Sequence, residues 1–384
     1  MERVLVFGSS GSIGKSTLEI IRRDRDNFKV LGLLVNKNID TLYKQIKEFN
    51  PLYVCVVDEK AGNRLEERLP KKVKLLKGNR GLEEFSSLSA DNSVIGITGI
   101  SSLKPLLIAM KHSKRVALAS KEVLVVAGEI VIKEAKKNKV KIIPVDSEIN
   151  ALFQLFGCIK KTHLKKIYLT ASGGPLLDYA FSKNKNITLG MVLSHPTWRM
   201  GKRITVDSAT LVNKGFEVME SHYLFDLDYK MIDVVVHRQS YVHAFLETKD
   251  NMLFSCWYKP NMIIPISFSL YYPHRCSVFK EFNLFLPGLN LSFEEVNYER
   301  FPLFRIVLES AKRSGNFPVV VNAADELAVE YFLKRRIKFY DIYRTVEHIF
   351  SQTKKEKIST LDAVYFWDKW ARIKTKEFLE KICG

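Results

Sequence analysis

The 384-residue sequence predicts an α/β protein in three parts: an N-terminal domain on a parallel sheet, a central α+β domain and a C-terminal helical bundle. Three observations point there. Over residues 1–146, short β-rich runs alternate with helical patterns, the rhythm of βαβ units. Near Ile149 that rhythm stops, and a glycine turn and an irregular stretch lead into strand-like runs. Beyond the Pro/Gly-bearing Phe285–Asn290, the pattern is helical to the end.

In order, Arg3–Gly8, Lys29–Val35, Leu52–Val57, Val73–Leu76, Ser93–Ile97, Arg115–Ala119 and Val140–Val145 read as strands. Lys15–Arg23, Asp58–Leu69, Ser102–Lys111 and Glu122–Lys137 read as helices between them, which calls for helices on both faces of the sheet. The middle of the chain carries a helix at Ile149–Phe156, a strand at Leu164–Thr170 and the turn Ser172-Gly173-Gly174-Pro175. A helix at Ala209–Phe225 follows, then strands at Ile232–Val236, Tyr241–Glu247 and Met252–Tyr258, the last two forming a hairpin through Thr248–Asn251. Helical patterns at Pro302–Ser314, Asn322–Arg335, Tyr340–Gln352 and Thr360–Ile382 complete the chain. The expected boundaries are 1–146, 147–284, a linker at 285–300, and 301–384.

A composition of 46% hydrophobic and 11% aromatic residues is that of a folded globular protein. No apolar run is long enough to cross a bilayer, so no membrane association is expected. The chain enters the strand-like Arg3–Phe7 almost at once, so no signal or transit peptide is expected. Five cysteines (Cys55, Cys158, Cys256, Cys276, Cys383) without CxxC spacing indicate neither a disulfide framework nor a zinc site, and a cytoplasmic location is expected. The net charge of +18 is spread over several elements without a helix-turn-helix or an aromatic RNA-binding motif. That excludes nucleic-acid binding as the main function and suits small phosphorylated anions.

Gly8-Ser9-Ser10-Gly11-Ser12-Ile13-Gly14 follows the first strand and opens the first helix. Glycines there let the backbone approach a pyrophosphate while helix N–H groups face the anion, so the N-terminal domain reads as Rossmann-like. After the second strand stand Asn36-Lys37-Asn38 instead of an acidic residue, a set that suits a 2′-phosphate and favours NADP over NAD.

At the end of the seventh strand the chain reads Pro-Val-Asp-Ser-Glu over Pro144–Glu148. As extended chain, this puts Asp146 and Glu148 on one face with Ser147 opposite, and two adjacent carboxylates call for a cation such as Mg²⁺ or Mn²⁺. As a helix start, Asp146 or Ser147 caps the helix that follows. Both readings stand at this point. Asp207-Ser208-Ala209-Thr210 reads as a second helix start, and Asn213, Lys214, Glu217 and Glu220 fall on one face of that helix. Either Glu217 joins the carboxylates while Ser208, Asn213 and Lys214 hold a phosphate, or the face is a solvated one with a Lys214–Glu217 pair. His195-Pro196-Thr197-Trp198-Arg199-Met200-Gly201 lies outside any periodic pattern and reads as a lid or as a loop anchored by Trp198.

In order and spacing, Gly8–Gly14, Asn36–Asn38, Ser120–Glu122, Val145–Glu148, Ser172–Pro175, His195–Gly201, Val206–Thr210 with Asn213–Glu217, and Asn322–Ala324 resemble the 1-deoxy-D-xylulose 5-phosphate reductoisomerase family. The resemblance covers nearly the whole chain. It implies NADPH- and divalent-metal-dependent isomerisation and reduction of 1-deoxy-D-xylulose 5-phosphate to 2-C-methyl-D-erythritol 4-phosphate, in the non-mevalonate isoprenoid pathway. It also implies an NADPH-binding domain over 1–146 and a homodimer paired through the central domain.

Residue by residue, the resemblance makes Asp146, Glu148 and Glu217 the ligands of Mg²⁺, Mn²⁺ or Co²⁺. Ser172, Ser208, Asn213 and Lys214 match the contacts to the substrate phosphate, and Lys121, Ser147 and Glu148 those to its oxygenated backbone. His195 and Trp198 belong to a flexible flap over the substrate. Lys121, Asp146, Glu148, His195 and Glu217 form the implied catalytic set. Ser10, Gly11, Ser12, Ile13, Asn36, Lys37, Asn38, Ser120, Glu122 and Gly201 fall to NADPH. The chain departs from the family at Asn36 (usually glycine), Ser120 (asparagine), Thr197 (asparagine), Arg238 (proline) and Asp325 (asparagine). A different NADP oxidoreductase, such as a semialdehyde dehydrogenase, does not need three carboxylates on a metal.

Overall fold

The computed structural model describes residues 1–179, 186–275, 277 and 279–383. In chain order the elements are β1 (Glu2–Phe7), α1 (Ser12–Arg23), β2 (Phe28–Val35), α2 (Ile39–Phe49), β3 (Tyr53–Val56), α3 (Glu59–Glu66), β4 (Lys74–Lys77), α4 (Gly78–Ser86), β5 (Ala90–Ile95), α5 (Leu103–Ala109), β6 (Ser113–Leu118), α6 (Glu122–Lys137) and β7 (Lys141–Pro144). Then come α7 (Ser147–Phe156), β8 (Leu164–Ala171), α8 (Leu189–Leu193), α9 (Lys202–Ala209), α10 (Val212–Phe225), β9 (Ile232–Val236), β10 (Val242–Thr248), β11 (Leu253–Trp257), α11 (Ile263–Tyr271), β12 (Glu294–Glu295), α12 (Pro302–Arg313), α13 (Phe317–Leu333), α14 (Phe339–Gln352) and α15 (Leu361–Cys383).

Contacts divide the chain into two units. The first holds Met1–Val123, Val131–Phe153 and Asn261–Asn283. Its sheet is parallel throughout, in the order β4-β3-β2-β1-β5-β6-β7. Val4–Phe7 are fully buried because β1 lies in the middle of the sheet with both faces covered. Helix α1 lays Gly14, Thr17, Leu18 and Ile21 on the sheet, the spacing of one helical face. Late in the chain, α11 packs on α1, and its Ile266 and Leu270 join the same core as Val4, Val30 and Val145.

The second unit holds Leu124–Ile130, Gln154–Pro260 and Leu284–Gly384. Its mixed sheet runs β11-β10-β8-β9-β12, with β8 and β9 parallel and the remaining pairs antiparallel. The hairpin expected between β10 and β11 is present. Among the C-terminal helices, α13 is buried almost continuously from Phe317 to Asp325, and it packs against α9, α12, α14 and α15.

Two local expectations change. The helix expected at Ala209–Phe225, with Asp207–Thr210 as its start, is two helices: Asp207, Ser208 and Ala209 end α9, and α10 begins at Val212. The break is local chemistry, since Leu211 takes the left-handed conformation (φ 58°) and the Thr210 hydroxyl donates back to the carbonyls of Val206 and Asp207 (3.3 and 3.2 Å). The extended reading of Asp146–Glu148 gives way to the helical one, because Ser147 opens α7 and the Asn150 N–H donates to the Asp146 carbonyl at 2.8 Å.

Candidate active site

In the parallel sheet the chain leaves β1 toward β2 on one side and later resumes with β5 on the other, which makes the C-terminal end of β1 the switch point of the topology. The glycine loop lies there. Gly8 and Ser9 both donate backbone N–H groups to the Leu34 carbonyl at 2.9 Å. From α2, Gln45 clasps the loop: the Ser9 hydroxyl donates to Gln45 Oε1 and Gln45 Nε2 donates to the Ser9 carbonyl, both at 2.8 Å and buried. Gly14 brings α1 hard against the loop, where a Cβ would stand 2.4 Å from Gly8 O and from Ser9 Cα. Gly11 caps α1, and among the described residues no side chain bonds to that end. Gly11 and Ser12 are exposed, Ser10 and Ile13 half-buried, so the first-turn amides face an open, anion-ready end.

At the end of β2, Asn36, Lys37 and Asn38 are exposed. Asn38 Oδ1 accepts the Thr41 N–H at 3.2 Å and caps α2, so one of its polar atoms already has a structural task. Ser120 is buried, with its hydroxyl donating to the Ile97 carbonyl, and Glu122 opens α6.

The carboxylates fall in both units: Asp146 and Glu148 in the first, Glu217 in the second. The Lys121 ammonium, 5% exposed, pairs with the Asp146 carboxylate, and the Ser147 hydroxyl donates to that of Glu148. In the second unit, Asn213 Nδ2 donates to Glu217 Oε1 at 2.7 Å and the Lys214 ammonium pairs with Glu217 Oε2. The solvated-face reading of α10 does not hold: Lys214 is 3% exposed and Glu217 and Glu220 are 0% exposed. Burying charge without a partner is costly, and in each unit a buried lysine meets that cost by pairing with a carboxylate, Lys121 with the half-buried Asp146 and Lys214 with the buried Glu217.

Ser172 follows β8 and meets His195. His195 Nδ1 accepts the backbone N–H groups of Thr197 (3.2 Å) and Trp198 (3.0 Å), so Nδ1 carries no proton. The neutral ring then holds its proton on Nε2, 3.0 Å from Ser172 Oγ, and donates there; this tautomer is assigned from the hydrogen-bond partners. Burial pushes the His195 pKa down to about 4, which favours the neutral ring. The Trp198 ring packs edge-on to His243, itself stacked on Tyr258. Gly174, at φ +68°, lets its turn rest on the last turn of α9: a Cβ there would stand 2.7 Å from the Ser208 carbonyl oxygen. Ser172 and Ser208 therefore belong to one packed assembly. Ser208, Asn213 and Lys214 offer a hydroxyl, an amide and an ammonium, donors suited to a phosphate. Gly201 precedes α9 and is exposed.

The sequence reading missed the Gln45 clasp and a half-buried ionic network that joins α9, α13 and α15. Arg203 lies 3.3 Å from Glu326, and Arg372 contacts Glu326 (2.7 Å) and Asp368 (2.8 Å). The i,i+4 pairs Arg203–Asp207 and Asp368–Arg372 were visible in the sequence, but such pairs are ordinary on solvated helices. Cys276 and residues 180–185 of the irregular stretch lie outside the described residues.

Three family models match the chain: 1-deoxy-D-xylulose 5-phosphate reductoisomerase over residues 4–128, the C-terminal domain of the same enzyme over 142–225, and a further DXP reductoisomerase C-terminal domain over 258–374. A 1-deoxy-D-xylulose 5-phosphate reductoisomerase of Thermodesulfovibrio yellowstonii is 42% identical over 378 residues, covering 98% of this chain and 99% of that one. One from Thermoanaerobacter pseudethanolicus is 40% identical, covering 96% and 97%. Among solved structures, the Zymomonas mobilis reductoisomerase in complex with NADPH superposes with a TM-score of 0.91 at 34% identity, covering 99% of each chain. A DOX-P reductoisomerase in complex with NADPH, fosmidomycin and magnesium gives 0.92 at 32% identity, covering 100% of this chain and 99% of that one.

Proposed function

The chain belongs to the 1-deoxy-D-xylulose 5-phosphate reductoisomerase family, and from that premise we propose how its residues divide the work. The reaction is the NADPH- and divalent-metal-dependent isomerisation and reduction of 1-deoxy-D-xylulose 5-phosphate to 2-C-methyl-D-erythritol 4-phosphate in isoprenoid biosynthesis.

Asp146, Glu148 and Glu217 hold the divalent ion. The donor set fits: carboxylate oxygens suit Mg²⁺ or Mn²⁺, and the Lys121–Asp146 and Lys214–Glu217 pairs hold two of the ligands in place. That pairing carries the reading, because a helix cap or a solvated face needs no buried lysine. When bound, the ion supplies Lewis-acid polarisation of the substrate oxygens and NADPH supplies the hydride. Ser172, Ser208, Asn213 and Lys214 grip the substrate phosphate at the end remote from the reacting carbons, so that binding energy there orients them. Lys121, Ser147 and Glu148 bind the oxygenated backbone. Neutral His195 presents an Nε2–H donor, and Trp198 covers the substrate and excludes water.

Ser10–Ile13 take the NADPH pyrophosphate on the free end of α1, Asn36–Asn38 its 2′-phosphate, and Ser120, Glu122 and Gly201 its nicotinamide half. In functional terms 1–146 binds NADPH, 147–284 is catalytic and pairs two copies, 285–300 links, and 301–384 is the helical support. The apolar side chains of edge strand β11 (Leu253 56%, Phe254 40%, Trp257 39% exposed) support a homodimer. The free thiols of Cys55, Cys158 and Cys383 support a reducing, cytoplasmic location. NADPH consumption with 1-deoxy-D-xylulose 5-phosphate should stop under EDTA and return with Mn²⁺; full activity in metal-free buffer refutes the metal assignment.

A further inference from the structure

Helix α9 ends in Asp207-Ser208-Ala209, and its fastening to the C-terminal helices involves more carboxylates than cations. Asp325 on α13 is 0% exposed and Asp207 is 6% exposed. A chain of ion pairs continues from them through Arg203 of α9 and Glu326 of α13 to Arg372 and Asp368 of α15. That makes four carboxylates against two guanidiniums. Arg203 is shared between Asp207 (3.6 Å) and Glu326 (3.3 Å), and Arg372 between Glu326 and Asp368. Neither oxygen of Asp325 finds a hydrogen-bond donor among the described residues, although the Asp207 carboxyl is within hydrogen-bonding range. Two carboxylates facing each other offer acceptors only, so one shared proton is what closes the contact.

We propose that Asp325 is a positioning residue for substrate-phosphate binding: as the neutral acid it donates a hydrogen bond to Asp207 and fastens the last turn of α9 to the C-terminal helices. The mechanical chain is short. Ser208 adjoins Asp207, and the Gly173–Gly174 turn that carries Ser172 rests on the backbone of Ser208 and Ala209. Moving this turn of α9 moves both hydroxyls. The inference rests on the phosphate role of Ser172 and Ser208 given above. Burial pushes the Asp325 carboxyl well above the usual range, and the neighbouring Asp207 carboxylate pushes it further, against a lowering by Arg203. Glu326 also raises it, and from α15 Arg372 pairs with Glu326 and with Asp368.

Two measurements on the full-length protein test this. In the first, thermal melts of wild type and Asp325→Asn are compared between about pH 5 and pH 9. A folded-state pKa above the unfolded value gives stability that is lost as pH rises through it, so the wild type should weaken relative to the amide variant as pH rises. A difference that does not change with pH overturns the shared proton. In the second, Asp325→Leu, which has no donor, should raise the substrate KM and the inhibition constant of inorganic phosphate by about tenfold while the NADPH KM stays within about twofold. Asp325→Asn, which keeps a donor, should restore both constants. Equal behaviour of Leu and Asn overturns the positioning role. Ser208→Ala run alongside separates the premise from the proposal. If phosphate inhibition survives there, the phosphate contact itself is refuted. If it weakens there but not in a folded Asp325→Leu, the positioning role is refuted.

Discussion

Gly14→Ala tests the cofactor loop by moving a single wall of it. The added methyl would meet Gly8 O and Ser9 Cα at 2.4 Å, whereas ordinary contact begins near 3.4 Å, so α1 and the loop must part by about 1.0 Å. Neither partner can yield cheaply. Both contacts are backbone, Ser9 is clasped by Gln45 at 2.8 Å, and Leu18 and Ile21 of α1 are 2% and 1% exposed in the core. A displacement of that size at a pre-organised site costs about tenfold to a hundredfold, or about 1.4–2.8 kcal/mol, and overpacking takes about 1–3 kcal/mol from stability. The NADPH KM should rise by that factor while the substrate KM moves less than about twofold. Steady-state kinetics with each ligand varied in turn, and direct titration of NADPH by fluorescence, read the effect. An NADPH affinity unchanged in a folded Gly14→Ala protein would falsify the placement of the pyrophosphate on this loop.

Two other outcomes are expected. Asp146→Asn should abolish turnover in a protein that still folds, at a stability cost of about 1–3 kcal/mol because the Lys121 ammonium, 5% exposed, loses its charged partner, as read by NADPH consumption and a denaturant melt; surviving activity removes Asp146 from the metal site. His195, with a folded pKa of about 4 against an ordinary 6.5, should make the protein lose stability as pH falls from about 6.5 to about 4, because the unfolded chain then binds the extra proton. His195→Asn should show less of that loss across the same window, and an identical pH profile in the two proteins refutes the neutral, buried ring.

The βαβ rhythm was legible because parallel strands buried on both faces are nearly continuous apolar runs: Val4–Phe7 and Leu33–Val35 announce themselves. The glycine loop was legible because its tight backbone contacts exclude a Cβ. The break at Thr210–Leu211 was not, since neither residue signals a left-handed conformation, and a hydroxyl donating to its own helix leaves no pattern. The choice between a solvated and a buried face for α10 was equally hidden. Lys214 and Glu217 at i,i+3 look the same in either case, and only the packing around them decides.

By itself, the sequence determined the two kinds of periodicity, the order of the motifs and the residue types able to hold a phosphate, a pyrophosphate and a hard cation. These are local properties, written within a few residues of each other. Tertiary structure alone decided which charges are buried. It put Lys121 on Asp146, drew α13 beneath α9 so that Asp325 faces Asp207, and brought α11 to the core of the parallel sheet. Those pairings join residues 25 to more than 200 positions apart. The energy of a charge depends on what surrounds it in space, and no local pattern records that.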